Sequence, residues 1–348
     1  MKVIITGVAG FIGAHVAEEM LRLGWEVCGI DDLSGGSIEN LPDGVDFLKR
    51  DCNDCLTELF CEQSPQAVIH LAAYAAEGLS HHVPVFNYEN NLAATANVLN
   101  ASYLSGAKHF VFTSSIAAYG HPQSESPLKE TDLCRPCDPY GIAKLACEQH
   151  VQAFCDYYDG ISYTIFRPHN VFGPKQNIAD PFRNVVGIFF RQLLTGQPLS
   201  IFGDGSQTRS FSYVEPVAKC IADACTNEKA RGDVFNAGGD ESWTVKELAV
   251  AICEELGLGQ QLQFLPPRKE VAHAHANHEK ANAVFASQLS EPVSVREGLR
   301  RTANYLKGKD IPLPTPCPAP VEIADHLPAS WREAVEHVGR TSRQNGNQ

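Results

Sequence analysis

The stretch KVIITGVAGFIG, residues 2–13, decides the fold of this 348-residue chain. It opens with a β-branched apolar run typical of a buried strand, continues through glycines at positions 7, 10 and 13, and passes into an apolar pattern of helical period. A strand, a glycine-rich turn and a helix in this order indicate a dinucleotide-binding unit. The physical reason is that pyrophosphate contacts backbone N–H groups at a helix N-terminus only where no Cβ intervenes.

A carboxylate at the end of the second predicted strand supports this interpretation. Asp31 follows Gly7 by 24 residues, close to the spacing of about 20 residues that is typical of a ribose-binding acid. No arginine occurs in the next loop, and a carboxylate at this place repels a 2′-phosphate. We therefore expect NAD rather than NADP, with Asp31 on the ribose and Asp32 as a solvated turn residue.

Short apolar runs alternate with longer segments of helical period through the first half of the chain. This alternation predicts an α/β fold with a doubly wound parallel sheet. The predicted strands are 3–5, 27–30, 45–48, 67–71, 109–113, 163–166 and, as a seventh, 234–237. The predicted helices are 12–23, 56–63, 90–104, 140–158 and 184–195, followed by two that begin at capping boxes, Thr244 with Glu247 and Ser294 with Glu297.

The composition of the chain changes after residue 167, where predicted loops rich in Pro, Gly and Asn begin. The expected divisions are residues 1–168 with 209–240 for a cofactor domain, 169–208 with 241–308 for a substrate lobe, and 309–348 for a Pro-rich tail. We expect a short helix near 330–338 and a disordered polar end at 341–348, and we assign the tail no chemistry.

The composition suits a globular protein and excludes several classes. The chain is 44% hydrophobic and 20% charged, and its 28 Lys and Arg against 41 Asp and Glu give a formal net charge of −13. Without a basic tract, nucleic acid is not an expected partner. No apolar run is long enough to predict a membrane span, and the start does not read as a signal peptide. The 12 scattered cysteines indicate reduced thiols and a cytoplasmic location.

A second motif, DPYGIAK at residues 138–144, places Tyr140 and Lys144 four residues apart on one face of a predicted helix. A phenol is a poor base at neutral pH, but a nearby ammonium, the helix N-terminus and an oxidised nicotinamide all favour the phenolate. The spacing alone is common by chance. Upstream, the fifth strand ends in hydroxyl residues 113–115, at the sheet edge where such folds bind ligands, so a hydroxyl there can contact substrate oxygen.

Together these motifs resemble the extended short-chain dehydrogenases/reductases, in their group of NAD-dependent nucleotide-sugar epimerases and dehydratases, and most closely the UDP-glucose 4-epimerase-like members. The resemblance covers roughly residues 1–308. Its motifs, in the family's order, are TGVAGFIG from Thr6, DDLS from Asp31, HLAA from His70, TSSIAAYG from Thr113, YGIAK from Tyr140, RPHNVFGP from Arg167 and GDGSQTRSF from Gly203. The resemblance implies a Rossmann-type sheet of about seven strands with a smaller mixed α/β substrate lobe.

The resemblance also implies an activity and its residues. The activity is 4-epimerisation of a UDP-hexose, UDP-glucose or UDP-galactose, through a transient 4-keto sugar. Ser115, 25 residues before Tyr140, matches the catalytic Ser/Thr, Tyr140 the acid/base, and Lys144 the residue that binds the nicotinamide ribose and lowers the pKa of the tyrosine. The implied cofactor contacts are Gly7, Gly10, Phe11, Ile12, Gly13, Asp31, Asp51, Cys52, Leu71, Ala72, Ala73, Asn91, Tyr140 and Lys144. The implied substrate contacts are Ser115, Tyr140, Asn170, Arg209 and Arg268, with both arginines on the diphosphate.

Two features of the sequence do not decide which UDP-sugar is the substrate. Ala75 stands where the family has a lysine near the cofactor, and the residue that limits sugar size falls at Ala274 or His275. No carboxylate follows Ser115, which argues against dehydratases and decarboxylases. The alternatives are a 4-epimerase of UDP-N-acetylglucosamine or UDP-glucuronate, another enzyme acting on nucleotide sugars, and a dinucleotide-binding regulator, which would have no use for a tuned phenol.

Relatives of this group commonly dimerise through two helices from each subunit, so we expect a homodimer through residues 90–104 and 140–158. Leu99, Leu145 and Phe154 fit such a face and fit a sheet-packing face equally well. No metal is expected, because the C-x-x-C pairs at 52/55 and 134/137 adjoin the predicted site, and because residues 273, 275 and 278 fit rim histidines better than ligands. His169 is expected near the sugar, in packing or in a hydroxyl hydrogen bond.

Overall fold

A computed structural model describes residues 1–122, 127–267, 273–311, 313–328, 331 and 335. Numbered in chain order, its strands are β1 (Lys2–Thr6), β2 (Glu26–Asp31), β3 (Val45–Lys49), β4 (Ala67–His70), β5 (His109–Thr113), β6 (Ser162–Pro168), β7 (Val171–Phe172), β8 (Leu199–Phe202), β9 (Thr208–Ser210), β10 (Ser212–Tyr213), β11 (Asp233–Ala237), β12 (Ser242–Thr244), β13 (Leu262–Leu265) and β14 (His273–Ala274). Its α-helices are α1 (Phe11–Arg22), α2 (Thr57–Gln63), α3 (Glu77–Ser80), α4 (Pro84–Tyr88), α5 (Ala94–Leu104), α6 (Pro139–Tyr157), α7 (Val185–Leu194), α8 (Val214–Asp223), α9 (Val245–Leu256), α10 (Glu279–Val284) and α11 (Val295–Leu306).

Seven of these strands form one parallel sheet in the spatial order β3-β2-β1-β4-β5-β6-β11. The predicted strands and helices of the sheet domain are therefore confirmed, the seventh strand included. The winding direction reverses between β1 and β4, which opens a crevice at the carboxyl ends of the strands. Within the described ranges, no helix is both long enough and apolar enough to cross a membrane.

The central strands of the sheet are apolar on both faces because helices cover both sides. Along β1, Val3 and Ile5 lie in the core beneath α1 and α8, while Ile4 lies in the opposite core beneath α2, α5 and α6. This alternation follows from the period of two along a strand. Leu99 belongs to the second core and is fully buried, so it packs on the sheet.

The smaller lobe has its own core, in which α7, α9 and α11 pack together and onto β8. The capping box at Thr244 is complete, with both reciprocal hydrogen bonds to Glu247. The predicted box at Ser294 forms only in part: its hydroxyl accepts from the Glu297 N–H, but the Glu297 carboxylate pairs with Arg300 and Arg301 instead.

Two elements lie where the main sheet and the smaller lobe meet. Arg209 lies on β9, in a small sheet with β12 and β14, and α8, which follows, packs against α1. Helix α10 packs on β11. The reason is Phe285, which follows α10 and is fully buried against Phe166 and Phe235.

The cysteines are all free, and seven of the 12 are buried. Cys55, Cys61 and Cys137 are exposed. In the part of the chain that the structure describes, no group of three or more His, Cys, Asp or Glu side chains is arranged to hold a metal ion. The helix expected at residues 330–338 lies outside the described residues except for Trp331 and Val335, and residues 341–348 lie wholly outside them.

Candidate active site

The glycine-rich turn between β1 and α1 is built for close backbone approach. Gly7 has a φ of +71°, and a Cβ there would lie 2.6 Å from the Ala72 nitrogen. A Cβ on Gly13 would lie 2.0 Å from the Gly7 carbonyl oxygen. Gly10 is the N-cap of α1, and no side chain caps this helix. The first turn of α1 therefore presents backbone N–H groups to a crevice, as a phosphate-binding helix N-terminus requires.

The Asp31 carboxylate lies at the far side of the same turn. It accepts hydrogen bonds from the backbone N–H of Ala9 at 3.0 Å and of Leu33 at 2.8 Å. Burial raises the pKa of Asp31, and these two bonds oppose the shift. Asp32 instead accepts from the N–H and hydroxyl of Ser34, at 2.8 and 2.6 Å, as a turn acid does.

A cavity of about 1460 Å³ runs from this turn, along the carboxyl ends of the strands, into the smaller lobe. This exceeds the volume of about 300 to 1,000 Å³ that is typical of a site for one small ligand. The predicted site residues that line it are Gly7, Gly10, Phe11, Ile12, Gly13, Asp31, Asp51, Cys52, Leu71, Ala72, Ala73, Ser115, Tyr140, Lys144, Asn170 and Arg209. Ala75 lines it too. The cavity therefore has room for a dinucleotide and a second ligand.

Tyr140, Lys144 and Ser115 converge at the middle of this cavity. Asp138 caps α6 by accepting from the Gly141 N–H at 2.8 Å, which places Tyr140 and Lys144 on one face. Lys144 Nζ lies 5.8 Å from the centre of the Tyr140 ring. The Ser115 hydroxyl accepts from the Ala117 N–H at 3.1 Å and acts on the phenol, where its effect lowers the pKa of Tyr140. All three residues are buried, so the contacts are made away from bulk water.

The charges around the phenol differ from the sequence expectation. Burial raises the pKa of Tyr140, and the Ser115 hydrogen bond and the Arg183 charge lower it. Burial lowers the pKa of Lys144 to about 8. The chain's own residues therefore leave the phenol protonated at neutral pH, and a base near neutrality needs the positive charge of an oxidised nicotinamide as well.

The sequence signature of the NAD dependent epimerase/dehydratase family matches residues 3–238. The chain belongs to this family. The chain is 33% identical over 319 residues to the UDP-glucose 4-epimerase of Mycolicibacterium smegmatis, an alignment that covers 89% of this chain and 99% of that protein.

Solved structures of this family share the fold. The UDP-glucose 4-epimerase of Thermotoga maritima, crystallised with UDP-glucose, superposes with a TM-score of 0.83 at 34% identity, covering 88% of this chain and 98% of its own. The UDP-glucuronic acid 4-epimerase of Bacillus cereus, in complex with UDP-4-deoxy-4-fluoro-glucuronic acid and NAD, superposes with a TM-score of 0.79 at 28% identity, covering 88% and 99%. The family's enzymes are NAD-dependent, and NAD is the cofactor.

The cavity of this epimerase/dehydratase family member fits NAD on its own geometry. Gly7 and Gly13 leave a cradle that a Cβ would fill. The Thr113 hydroxyl lines the cavity, is buried and has no hydrogen-bond partner among the described atoms. Burial and the Asp51 and Asp31 charges raise the pKa of Cys52 to about 12, so its thiol stays neutral beside the Asp51 carboxylate.

Asn91 is placed differently from the cofactor contact that the sequence suggested. Its side chain is buried behind the loop after β4, accepting from the Tyr74 N–H at 3.0 Å and donating to the Asn87 side chain at 2.9 Å. Asn90 lines the cavity instead. Both residues lie in a π-helical turn at Glu89–Ala93.

At the lobe end, Asn170 has a φ of +40° and donates to the Ser210 carbonyl at 3.0 Å. Arg209 lies on the neighbouring β9. Arg268 lies outside the described residues, as does the side chain of Ala274. His275 contacts the Thr208 hydroxyl at 3.1 Å and is not among the described residues that line the cavity.

His169 is turned away from the cavity. Its Nε2 lies 2.7 Å from Nε2 of His278, and its Nδ1 lies 3.2 Å from the Ser210 carbonyl oxygen. His278 Nδ1 in turn contacts Asp240. Packing was one of the two roles expected for His169, and the buried imidazole pair ties the loop after β6 to the segment before α10.

Several residues of the cavity have no signal in the family motifs. Arg183 lies in the cavity wall, with Nε 2.9 Å from an Asp180 carboxylate oxygen and the guanidinium 4.5 Å from the centre of the Tyr74 ring. Arg191 and Trp331 also line the cavity. Only the DPFR stretch at residues 180–183 could have pointed to Arg183, as an acid and a base three positions apart.

Proposed function

We propose that this chain catalyses the NAD-dependent 4-epimerisation of a UDP-hexose, with UDP-glucose and UDP-galactose as the leading pair. The observation that carries the proposal is the convergence of Ser115, Tyr140 and Lys144 on one cavity that has room for two ligands. The relatives named above act on UDP-glucose and UDP-glucuronic acid, which supports a UDP-sugar as the substrate class.

In this proposal the first turn of α1 holds the pyrophosphate of NAD, Asp31 its adenosine ribose and Lys144 its nicotinamide ribose. The chemistry that NAD supplies when bound is to accept the hydride that leaves C4 of the sugar and to return it to the opposite face of C4. Tyr140 takes the proton from the 4-hydroxyl and later gives it back. Ser115 hydrogen-bonds the phenol and steadies the charge that develops on it.

The substrate lies across the lobe end of the cavity. Asn170 and Arg209 approach it from the loop after β6 and from β9, and Arg209 provides a cation for the diphosphate. The absence of a carboxylate beside Ser115 agrees with simple epimerisation, because elimination or decarboxylation needs an additional acid or base.

We infer a homodimer through the outer faces of α5 and α6. Tyr103 of α5 packs against Phe154 of α6 with ring centres 5.6 Å apart, and Tyr158 lies 4.9 Å from Tyr103. Tyr157 at the end of this aromatic group is 80% exposed. An exposed aromatic group of this kind is typical of an interface. Light scattering that finds a monomer at micromolar concentration would refute the dimer.

One observation favours a second candidate substrate. The Arg183 guanidinium lines the cavity and acts on the charge of the Tyr140 phenol, and a uronic sugar carries a carboxylate that a guanidinium recognises. If UDP-glucuronate is the substrate, Arg183→Ala raises its KM far more than Arg296→Ala, which removes an exposed surface arginine paired with Glu254.

The decisive experiment follows the anomeric proton signals of UDP-galactose by NMR after addition of the purified protein without added cofactor. We expect a mixture of UDP-galactose and UDP-glucose, formed on resident NAD. Tyr140→Phe should lose nearly all activity, and Tyr157→Phe, a change at an exposed tyrosine, should keep it. Full activity of a folded, NAD-containing Tyr140→Phe variant refutes the mechanism. If UDP-galactose is not converted, the same assay is repeated with UDP-N-acetylglucosamine and UDP-glucuronate.

A further inference from the structure

The tail after α11 turns back across the molecule and is clamped at two places. We call residues 311–328, of which 312 lies outside the described residues, the C-terminal strap. Its first clamp is at Thr315, whose N–H donates to the Ala179 carbonyl at 2.9 Å and whose hydroxyl accepts from the Asn177 side chain at 3.2 Å. These bonds hold the strap beside the loop that leads into α7.

The second clamp joins the strap to α4, more than 200 residues earlier in the chain. The Glu322 carboxylate accepts hydrogen bonds from the backbone N–H of Val85 at 2.9 Å and of Phe86 at 3.1 Å. The Glu322 N–H donates to the His82 carbonyl at 2.9 Å, and the His82 ring lies 2.8 Å from the Ile323 carbonyl oxygen. The strap is therefore fixed to the described fold by main-chain and side-chain bonds.

Beyond the strap, Trp331 fills the gap between α3 and the loop before α7. It is 7% exposed, and its ring centre lies 5.2 Å from that of Phe182. A Cβ on Gly78 would lie 2.9 Å from the indole, so the ring rests directly on the backbone of α3. Cys317 and Leu79 belong to the same apolar cluster. This burial explains why the strap returns to α3.

Helix α3 connects Trp331 to the reacting centre. The Ser80 hydroxyl accepts from the Tyr140 N–H at 3.2 Å, and the Glu77 charge acts on the phenol. Trp331 and Pro314 themselves line the cavity that contains Tyr140. Part of the cavity wall thus comes from the tail, whereas the resemblance of the sequence to its family ends near residue 308.

We propose that Trp331 is a specificity-determining residue, whose indole forms the outer wall of the hexose subsite and retains the sugar while it is oxidised. The proposal rests on the 4-epimerisation proposed above. In that reaction the keto sugar must turn over inside the site. A keto sugar that left at this stage would leave its C4 hydride on NAD and its hydroxyl proton on Tyr140. An indole wall beside the sugar keeps the keto sugar in the site until both are returned.

The test compares Trp331→Ala and Trp331→Phe with Leu313→Ala, a strap residue that is 86% exposed. Loss of the indole should raise the release of UDP-4-keto-hexose, detected by borodeuteride reduction and mass spectrometry, about tenfold per turnover. It should also raise the kcat/KM for UDP-N-acetylgalactosamine relative to UDP-galactose by about ten- to 100-fold, the range for filling or emptying part of an apolar pocket. Wild-type values in both Trp331 variants would overturn the proposal.

A second readout does not depend on turnover. The chain has three tryptophans, and Trp331→Phe leaves the other two in place. Binding of a UDP-sugar should change the intrinsic fluorescence of the wild type, and Trp331→Phe should abolish most of that change. Equal changes in both proteins, or no change with UDP-galactose, UDP-N-acetylgalactosamine and UDP-glucuronate, would overturn the proposal. Failure of the wild type to epimerise any of these sugars counts against the proposed function, while the fluorescence comparison still decides the role of Trp331.

Discussion

Ser115 acts directly on the phenol of Tyr140, and its hydrogen-bonding effect is the largest influence from the chain's own groups that lowers the pKa of the tyrosine. It opposes the effect of burial, which raises that pKa. In the proposed mechanism, Ser115 therefore acts on the base itself as well as on the substrate oxygen. This relationship makes the pH dependence of the reaction a direct measure of the site.

The first prediction concerns Ser115→Ala. Without the hydroxyl, the pKa of Tyr140 rises further, so the acidic limb of the pH–rate profile moves to higher pH and kcat at neutral pH falls by about 10²- to 10⁴-fold. Ser115→Thr keeps the hydroxyl and should restore most of the rate. A Ser115→Ala profile that superposes on the wild type after scaling would contradict the role of this bond.

The second prediction concerns the glycine-rich turn. Gly13→Ala places a Cβ within 2.0 Å of a carbonyl oxygen, so the turn must shift, and we expect loss of bound NAD together with lower stability. Gly259→Ala is the matched control, because nothing lies within 4 Å of a Cβ there. Cofactor content after purification and thermal unfolding measure both effects. Wild-type NAD content in Gly13→Ala would show that the turn is not the pyrophosphate site.

The third prediction concerns a buried ion pair between β6 and α6, the helix that carries Tyr140. Glu148 of α6 and Arg167 of β6 form two hydrogen bonds of 2.9 and 2.6 Å, with side chains 2% and 6% exposed. Glu148→Ala leaves an unpaired buried guanidinium and should lower the free energy of unfolding by about 3 to 5 kcal/mol.

Replacing both members of this pair by methionine separates the lost charge pair from lost packing. Because the double variant leaves no uncompensated charge, it should be less destabilised than the sum of the two single variants. Denaturant unfolding of the wild type, of Glu148→Met and Arg167→Met, and of the variant with both substitutions gives the coupling. Additivity within about 0.5 kcal/mol would mean that the two charges do not depend on each other.

The fourth prediction concerns pH and stability at His109, which lies at the start of β5, away from the cavity. Its ring nitrogens contact the Ser162 hydroxyl at 2.8 Å and the Thr164 hydroxyl at 3.1 Å. Burial and the Arg231 charge lower the pKa of His109 to about 4. Below the ordinary value of about 6.5, the unfolded chain gains a proton that the folded protein does not.

The free energy of unfolding should therefore fall as the pH drops from about 6.5 toward 4. At pH 5, protonation of His109 in the unfolded chain should lower the free energy of unfolding by about 2 kcal/mol. His109→Gln removes this dependence while keeping a polar side chain. Unfolding measured at several pH values in this window should give a shallower slope for the variant than for the wild type. Identical slopes would show that His109 takes up its proton in the folded state.

Most of the sheet domain could be predicted from local sequence patterns. Most strands of the main sheet are short apolar runs, and the turn at residues 7–13 depends partly on local geometry, because Gly7 has a φ of +71° and Gly13 approaches the Gly7 carbonyl oxygen within one βα unit. For the same reason Tyr140 and Lys144 could be paired from their spacing on one helix. The cap at Asp138 is likewise a contact across three residues. Such features need no knowledge of the rest of the chain.

The tertiary structure alone decided the features that depend on distant contacts. Asn91 faces the Tyr74 backbone, His169 turns toward His278, and Trp331 lines the cavity after a strap that is clamped to α4. The spacing of apolar residues along the sequence does not say which neighbouring surface a buried side chain contacts, because that depends on the shape of the surface that packs against it. The sequence by itself thus determined the sheet, the glycine-rich turn and the helix that carries Tyr140 and Lys144, and long-range packing decided that Trp331 lines the cavity with them.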